Sequence, residues 1–427
     1  MICVGNAYHC NPLMGKINYE RFVLKNGLTV IVHQDDSTPL ACLNIMYDVG
    51  SRDEDPNRTG FAHLFEHLMF GGSANIPEYD APLQIAAGTN NAFTSTDITN
   101  YYITLPTQNL ETAFWLESDR MLNLAFTPKS LEVQRNVVIE EFRQRYLNQP
   151  YGDAWLLMRP MAFKEHPYNW ATIGKEEKHI EEATMADVKA FYKKHYRPKN
   201  AVMVVAGNVE LNEVKRLSEK WFEPIEKGEK QVRKLPVEPL QTEARRKVAE
   251  RAVPLDAIYI SFHMCEKTHE DYQAWDLLSD VLSGGLSSRL QQRLIKDKRI
   301  FTSAHAFLMG EKDPSLFTIA GHVSQDKTIE EAEASIWEEI EILKNELVEE
   351  SELKKVKNQI EANHEFAEMS LLNRAIGLAY HELLGDVESI NTEMKKYNAV
   401  SREQIQSIAK QHLVKSNSNT LIYKRKG

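Results

Sequence analysis

The order of strand and helix patterns in the first half of the sequence is repeated in the second half. Runs rich in branched apolar residues at 29–35 and 40–50 predict strands, and an apolar helical pattern follows at 61–70. Later in the chain, a strand pattern at 257–265 is again followed by a helical pattern, at 271–285. A chain of 427 residues is also too long for one comfortable hydrophobic core. We therefore predict an α+β fold made of two homologous domains.

Short matching segments align the two halves with each other. HLMFGGS in the first half corresponds to VLSGGLS in the second, which places the glycine pair 71–72 on the pair 284–285. Between the halves, residues 224–244 are charged, contain prolines and show no apolar period, which is typical of a linker. The predicted divisions are an N-terminal extension 1–16, a first domain 17–225, a linker 226–244 and a second domain 245–427.

The segment FAHLFEHLMF at 61–70 contains His63, Glu66 and His67 in an H-x-x-E-H pattern, the inverted form of a zinc-protease signature. On a helix the two histidines lie at i and i+4 on one face, where they can occupy two corners of a tetrahedral zinc site. Glu66 projects beside the metal, where its carboxylate can take a proton from a zinc-bound water. Phe65 either lines the apolar side of this site or belongs to the core. The alternative is a buried helix whose histidines are satisfied by neighbouring groups.

A catalytic zinc site needs a third protein ligand and an open fourth position. Residues 131–146, LEVQRNVVIEEFRQRY, have an amphipathic helical pattern in which Glu140 and Glu141 are adjacent. Adjacent residues on a helix point about 100° apart, so only one of the two carboxylates can face the metal. The spacing alone does not choose between them, and a Glu-Glu pair on a helix is usually solvated.

HLFEH followed by R-x-V-V-x-x-E at 135–141 resembles the pitrilysin family of zinc peptidases, which includes insulin-degrading enzyme and the mitochondrial processing peptidase. Further stretches are similar to family blocks: NGLTVIVHQD at 26–35, DVGSRDE at 48–54, GTNNAFTSTDITNYY at 88–102 and YRPKNAVMVVAGNV at 196–209. The resemblance implies two homologous domains, each with a mostly antiparallel β-sheet packed with helices. It also implies a metalloendopeptidase with one zinc ion per chain, bound by His63, His67 and Glu141, in which Glu66 activates the attacking water.

The resemblance also assigns residues around the metal. The family often carries an acidic residue seven positions before the third ligand, where this chain has Gln134. A neutral amide can still hydrogen-bond to a metal ligand, but its electric field at the zinc differs. The edge strand implied for substrate binding would pair with the backbone of a peptide substrate, and it contains Asn90, Asn91, Ala92, Phe93 and Thr94. An ordinary edge strand is the alternative for this segment.

The second half departs from the family at two positions. Active members usually carry an arginine and, seven residues later, a tyrosine, which help to bind substrate and stabilise the oxyanion. This chain has Ile295 and Thr302 there, and neither side chain supplies a cation or a phenol. Some family members are two-subunit enzymes in which one subunit carries the zinc and the other carries the Arg/Tyr pair. The resemblance therefore implies that this chain is a zinc subunit in a homodimer, or in a heterodimer with a homologous chain.

Three interpretations of the function remain open at this point. The chain is a peptidase for oligopeptides or unfolded protein segments, a processing peptidase with one protein substrate, or a non-catalytic assembly subunit with the same fold and a bound zinc. In the second half, the alignment puts Asp276, Ser279 and Asp280 at the positions of the H-x-x-E-H residues. We expect a solvated helix face there rather than a site for a hard cation.

Composition limits the partners and the compartment. The formal net charge of −10 argues against a nucleic-acid partner, because phosphate binding requires a basic surface. No run of about 20 apolar residues is present, so no membrane span is predicted. The N-terminal sequence has no basic start followed by an apolar region, which predicts a cytoplasmic protein, or a periplasmic one if a signal peptide was removed. Four scattered cysteines without C-x-x-C spacing predict free thiols.

Overall fold

The computed structural model describes residues 15–426, and its strands form two separate sheets. The first sheet has the spatial order β1-β2-β6-β3-β5-β4 and contains β1 (Glu20–Val23), β2 (Thr29–Gln34), β3 (Leu40–Tyr47), β4 (Thr89–Thr94), β5 (Thr99–Pro106) and β6 (Ala201–Gly207). The second sheet has the order β7-β11-β8-β10-β9 and contains β7 (Arg245–Arg251), β8 (Ala257–Met264), β9 (Phe301–Leu308), β10 (Ser315–Val323) and β11 (Ser418–Arg425).

The two sheets have the same topology once β1 is set aside. In each sheet the first strand in sequence pairs in parallel with the last strand, as β2 with β6 and β7 with β11. The other pairings among the described residues are antiparallel. Gly72 and Gly285 both have left-handed φ angles, of 90° and 83°, at the aligned positions. The prediction of two homologous α+β domains with mostly antiparallel sheets is therefore confirmed.

Helices follow the strands in both halves. The first half contains α1 (Phe61–Leu68), α2 (Asp80–Ile85), α3 (Leu110–Leu122), α4 (Pro128–Phe142), α5 (Ala154–Ala162), α6 (Glu177–Glu181), α7 (Met185–His195) and α8 (Leu211–Trp221). The second half contains α9 (Tyr272–Ser283), α10 (Ile329–Asn345), α11 (Glu350–Glu368), α12 (Leu371–Leu384), α13 (Glu393–Ala399) and α14 (Arg402–His412). No helix among the described residues is long and apolar enough to cross a membrane.

Each sheet is covered on one face by helices of its own half and on the other face by a helix of the opposite half. Helix α12 of the second half packs on the first sheet, where Leu378 lies in a cluster with Cys42 and Val204. Reciprocally, helix α5 of the first half packs on the second sheet, where Met158 contacts the cluster around Leu421. Burying one such leucine contributes about 1.5–3 kcal/mol, so the exchanged helices tie the two halves together.

Residues 226–244 contain no helix or strand, but they are anchored to the first half. Arg233 forms ion pairs with Asp48 (2.7 Å) and Asp53 (2.6 Å). Glu238 accepts hydrogen bonds from the backbone N–H groups of residues 164–166. The predicted domain limits at 225, 226, 244 and 245 stay predictions, although the segment is held against the surface rather than free.

Some predicted features lie outside the described residues, and two observed strands were not predicted. Most of the predicted extension 1–16, including Cys3 and Cys10, lies outside the described range, whereas Cys42 and Cys265 are free thiols as expected. Strands β1 and β7 were not predicted, because their sequences ERFV and RRKVAER do not alternate between apolar and polar residues. Both are edge strands, where one side of the strand stays in water and charged residues are tolerated.

Candidate metal centre

The start of helix α1 is held in place by a buried carboxylate. The helix begins after Gly60, whose φ of 88° is left-handed and whose Cα approaches the backbone of Ile173 so closely that a Cβ would lie 2.6 Å from that carbonyl oxygen. The N–H groups of Gly60 and Ala62 donate to the two oxygens of Glu54, at 2.9 and 2.8 Å. Trp170 donates a further hydrogen bond to Glu54 at 3.0 Å. Burial nevertheless raises the pKa of Glu54 to about 8.

The sequence of α1 separates an apolar face from a polar face. Phe65 is fully buried, and its ring stacks on Tyr192 and Tyr196, with centroids 6.1 and 5.0 Å away. Of the two interpretations of Phe65, the core position is therefore the one observed. His63 and His67 project from the opposite face, one helical turn apart, with ring centroids separated by 4.8 Å.

The packing of α1 against α4 brings both imidazoles to Glu141. Oε2 of Glu141 lies 3.7 Å from Nε2 of His63 and 3.4 Å from Nε2 of His67. Tetrahedral zinc with bonds of 2.0–2.2 Å holds neighbouring donor atoms about 3.4 Å apart, so these separations are close to those of a zinc site. Among residues 15–426 this is the only group of three or more His, Cys, Asp or Glu side chains whose donor atoms could hold one metal ion.

The charge states of the donors also suit a metal ion. Burial, together with the neighbouring His67 imidazole, lowers the pKa of His63 to about 4, so the His63 imidazole is neutral near pH 7. The His67 imidazole lowers the pKa of Glu141, whose carboxyl is then ionised. Neutral imidazole and ionised carboxylate are the forms that coordinate zinc. Nδ1 of His63 is buried without a hydrogen-bond partner, which leaves Nε2 as the atom through which this ring interacts.

The structure shows which of the two adjacent glutamates faces the histidines, a choice that the spacing in the sequence did not make. Glu140 is 59% exposed and forms an ion pair with Arg143 at 2.8 Å, on the side of α4 away from the histidines. Glu141 is 19% exposed and faces both imidazoles. The helical rotation between adjacent residues therefore leaves Glu141 as the carboxylate of the cluster.

Glu66 lies beside this cluster and is held by the edge strand. The hydroxyl of Thr94 in β4 donates a hydrogen bond of 2.5 Å to Oε2 of Glu66. Burial raises the pKa of the Glu66 carboxyl, while the hydrogen bond from Thr94 acts in the opposite direction. This contact between Thr94 and Glu66 was not foreseen, because the sequence interpretation assigned Thr94 to substrate binding alone.

The predicted substrate strand forms the outer edge of the first sheet. β4 pairs only with β5 among the described residues, and its side chains alternate between exposed and partly buried positions. The exposed side chains are Thr89, Asn91 and Phe93, whereas Asn90 donates a hydrogen bond of 3.1 Å to Asp80. Ala92 packs against the core of the first half. The strand therefore has a free edge close to the group formed by His63, His67 and Glu141.

The sequence interpretation also concerned Gln134 near the group and two positions in the second half. No hydrogen bond or ion pair connects Gln134 with the cluster in the part of the chain that the structure describes, and Arg145 contacts Glu141 instead. In the second half, Ile295 packs against the core and Thr302 donates a hydrogen bond to the carbonyl of His322 at 3.2 Å. As expected from the sequence, neither residue supplies a cation or a phenol.

The expected solvated face on α9 is wrong. Asp276 and Asp280 are half-buried, and Tyr397 donates a hydrogen bond of 2.5 Å to Asp276. Burial raises the pKa of both carboxyls, that of Asp280 to about 6. Ser279 is buried, and its hydroxyl donates to the backbone carbonyl of Asp276. The helix is covered by α11, α13 and α14, a tertiary arrangement that the local pattern did not reveal.

Comparison with protein families matches nearly three quarters of the chain to one family. Residues 29–169 match the family described as Insulinase (Peptidase family M16), and residues 182–360 match the Peptidase M16 inactive domain. The chain belongs to the M16 peptidase family. This confirms the resemblance inferred from the sequence, and the match described as inactive begins after His63, His67 and Glu141 and extends into the second half.

Individual M16 relatives cover almost the entire chain. The zinc protease PqqE of Helicobacter pylori is 29% identical over 99% of this chain and 96% of its own length. An uncharacterized zinc protease of Bacillus subtilis, YmxG, is 25% identical over 92% of this chain and 95% of its own length. A crystal structure of a protease from Helicobacter pylori superimposes with a TM-score of 0.89 at 29% identity, covering 95% of this chain and 99% of the other.

The fold is also that of a larger peptidase. The crystal structure of pitrilysin superimposes with a TM-score of 0.78 at 16% identity. The superposition covers 97% of this chain but 46% of the pitrilysin chain. This M16 chain therefore corresponds in fold to about half of pitrilysin.

Proposed function

We propose that this M16 protein is a zinc-dependent metalloendopeptidase that hydrolyses peptide bonds in oligopeptides or unfolded protein segments. The observation that carries the proposal is the convergence of His63, His67 and Glu141, whose donor atoms all lie within 4.8 Å of one another. Zinc held by these three ligands, one ion per chain, would polarise the substrate carbonyl and lower the pKa of a coordinated water. The names of the relatives in Helicobacter pylori and Bacillus subtilis support a zinc protease.

The residues of the chain perform the proton transfers in this proposal. Glu66 accepts a proton from the attacking water and then delivers it to the amine that leaves. Its raised pKa brings the carboxyl closer to neutral pH, where a group can both accept and release a proton. Thr94 fixes the carboxylate through its hydrogen bond to Oε2, which leaves the other oxygen for the water.

The free edge of β4 is the proposed binding surface for the peptide. An extended substrate would add to the sheet through backbone hydrogen bonds with residues 90–94, as in other cases of strand addition. Backbone hydrogen bonds depend little on the side chains of the peptide, so this mode of binding suits a peptidase with broad substrate specificity. Thr94 belongs to β4, and its hydroxyl is hydrogen-bonded to Glu66. A peptide paired with β4 would therefore lie next to the Glu66 carboxylate.

A two-subunit assembly is part of the proposal. The second half has Ile295 and Thr302 where the family pattern has a cation and a phenol. Together with the correspondence to about half of pitrilysin, this supports pairing with a second copy or with a homologous chain that carries the Arg/Tyr pair. The partner would complete the substrate chamber.

A non-catalytic assembly subunit is the second candidate. The missing Arg/Tyr pair favours it, and so does the match of residues 182–360 to an M16 inactive domain. The partly buried Glu66 speaks against it, because a structural zinc site requires no base and usually fills its fourth position with a protein ligand.

Replacing a proposed metal ligand tests the ligand assignment, and the equivalent position in the second half provides a control. His67→Ala should abolish stoichiometric zinc binding and all chelator-sensitive cleavage of a quenched-peptide library. A catalytic zinc site needs three protein ligands, and this variant keeps only two of them. Asp280→Ala is the matched control, since Asp280 occupies the equivalent position in the second half, and it should retain one zinc per chain. Zinc content is measured by atomic emission on the same samples. Full zinc content in His67→Ala would contradict the ligand assignment.

The assay with and without a partner separates the peptidase from the assembly subunit. Wild-type protein is tested alone and mixed with a homologue that bears the Arg/Tyr pair. Cleavage that is sensitive to chelators in either case supports the peptidase, and cleavage in the mixture alone supports the shared site. One zinc per chain without cleavage in both cases would instead favour the assembly subunit.

A further inference from the structure

The two oxygens of Glu141 have different partners. Oε2 faces the imidazoles of His63 and His67, whereas Oε1 forms an ion pair of 2.9 Å with Nη1 of Arg145. We propose that Arg145 is a positioning residue that holds the Glu141 carboxylate with Oε2 directed at the metal. The inference rests on the proposed zinc site and extends it to a residue that the family pattern does not assign.

The backbone of Arg145 is fixed although its side chain is 72% exposed. Helix α4 changes after Phe142 into a π-helical turn, Arg143–Leu147, and such turns are frequent at functional sites. Tyr146 anchors the turn by packing on Phe142 with ring centroids 5.7 Å apart. On the other side, Gly152 approaches so closely that a Cβ there would lie 2.4 Å from the carbonyl oxygen of Arg145.

The fixed backbone and the Glu141 carboxylate together determine where the Arg145 guanidinium lies. Arg145 lies four residues after Glu141, in the π-helical turn that continues α4, and its guanidinium reaches back to the Glu141 carboxylate. A side chain with several rotatable bonds on a fixed backbone still needs a partner to select its position. The partner here is the carboxylate oxygen that does not face the histidines.

Other cations that could take this role are engaged elsewhere. In the same turn, Arg143 forms ion pairs with Glu140 and Glu177 at 2.8 Å each. Among the described residues, Arg145 is the only lysine or arginine that forms an ion pair with a member of the metal cluster.

Holding the second oxygen has a direct consequence for metal affinity. A carboxylate that binds zinc through one oxygen must present that oxygen in a fixed orientation, and hydrogen-bonding partners of metal ligands provide this orientation. Loss of such a partner typically weakens metal binding by about 10–100-fold. An exposed ion pair contributes little to the stability of the metal-free fold, so the two effects can be separated by experiment.

Arg145→Gln tests the inference through zinc affinity rather than activity. The dissociation constant for zinc, measured by competition with a chromophoric chelator at pH 7, should rise about 10–100-fold. The melting temperature of the metal-free protein should be unchanged. Arg145→Lys retains the charge and should recover part of the affinity, although a lysine lacks the planar fork of arginine.

Arg143→Gln is the matched control, because it removes an arginine from the same turn that pairs with other carboxylates. Its zinc affinity should stay within about threefold of wild type, since Glu141 keeps its partner. Equal zinc affinity in Arg145→Gln and wild type would overturn the inference. Equal weakening in Arg145→Gln and Arg143→Gln would also overturn it, because the cause would then be net charge.

The outcome is independent of whether peptides are cleaved. Weaker zinc binding in Arg145→Gln, together with a wild-type protein that cleaves no peptide, would retain the positioning role and reject the peptidase. Unchanged zinc affinity in Arg145→Gln, together with chelator-sensitive cleavage by wild type, would reject the positioning role and retain the peptidase.

Discussion

Glu66→Gln should reduce peptide hydrolysis by about 10²–10⁴-fold while the protein keeps its zinc, because general-base catalysis contributes a factor of this size. Glutamine has nearly the shape of glutamate and can still accept the hydrogen bond from Thr94 at the edge of the sheet. It cannot take up the proton of the attacking water. The measurement is kcat/KM on a quenched peptide, with zinc quantified on the same sample.

Glu140→Gln provides the control for this experiment. Glu140 is adjacent to the metal cluster in sequence, but it is 59% exposed and pairs with Arg143. Its replacement should change kcat/KM by less than about threefold, because exposed ion pairs contribute little. Hydrolysis by Glu66→Gln at the wild-type rate would reject Glu66 as the base, even if the metal ligands were correct.

Asp97→Ala should lower the free energy of unfolding by about 3–5 kcal/mol, because it removes one of the two carboxylates paired with the buried Arg52 and leaves two further donors without their acceptor. Asp97 is 4% exposed and pairs with Arg52, which is 5% exposed, at 3.0 Å. It also accepts hydrogen bonds from the Tyr168 hydroxyl and from the backbone N–H of Lys312, both at 2.7 Å. Lys312 lies in the β9–β10 loop, so this cluster connects the second half with the first.

An exposed ion pair between the same two halves is the control for Asp97→Ala. Arg21 pairs with Glu382 at 2.7 Å, but the Arg21 side chain is 43% exposed. Arg21→Ala should therefore cost less than about 1 kcal/mol. Chemical denaturation of both variants gives the comparison, and equal losses of stability would show that burial is not the decisive factor.

The buried ion pair of Asp97 and Arg52 is also connected to the start of α1. Arg52 belongs to the 3₁₀ turn Ser51–Asp53, and the next residue, Glu54, accepts the hydrogen bonds from the start of α1. Asp313 of the second half contacts Arg52 at 2.7 Å. The second half, which lacks the His–His–Glu group, therefore supports the turn on which α1 begins.

Sequence reasoning identified elements whose signals are local. The strands β2, β3 and β6 and the helices α1, α4 and α9 were predicted, because their apolar periods reflect the face that each element buries. The edge strand β7 was missed, since RRKVAER is mostly polar and only Ala249 is buried, so no apolar period marks the strand. The buried state of Asp276 and Asp280 was missed for a related reason, because polar residues were taken to mark a solvated face.

Within the site, the sequence by itself determined the two imidazoles. His63 and His67 lie on one helix at i and i+4, so helical geometry alone brings them together. The choice of Glu141 over Glu140 followed from family resemblance, and the rotation of α4 agrees with it. The roles of Glu54 and Arg145 had no sequence signal, since both act through contacts that form only after folding.

Only the tertiary structure decided how the two halves join. The apolar faces of α5 and α12 are visible in the sequence, but hydrophobic burial is non-directional and does not specify which sheet a helix covers. Each of these helices instead covers the sheet of the opposite half, where its apolar residues fit the outer face of that sheet. Long-range contacts of this kind are set by the fit of complete surfaces, which no local pattern of residues encodes.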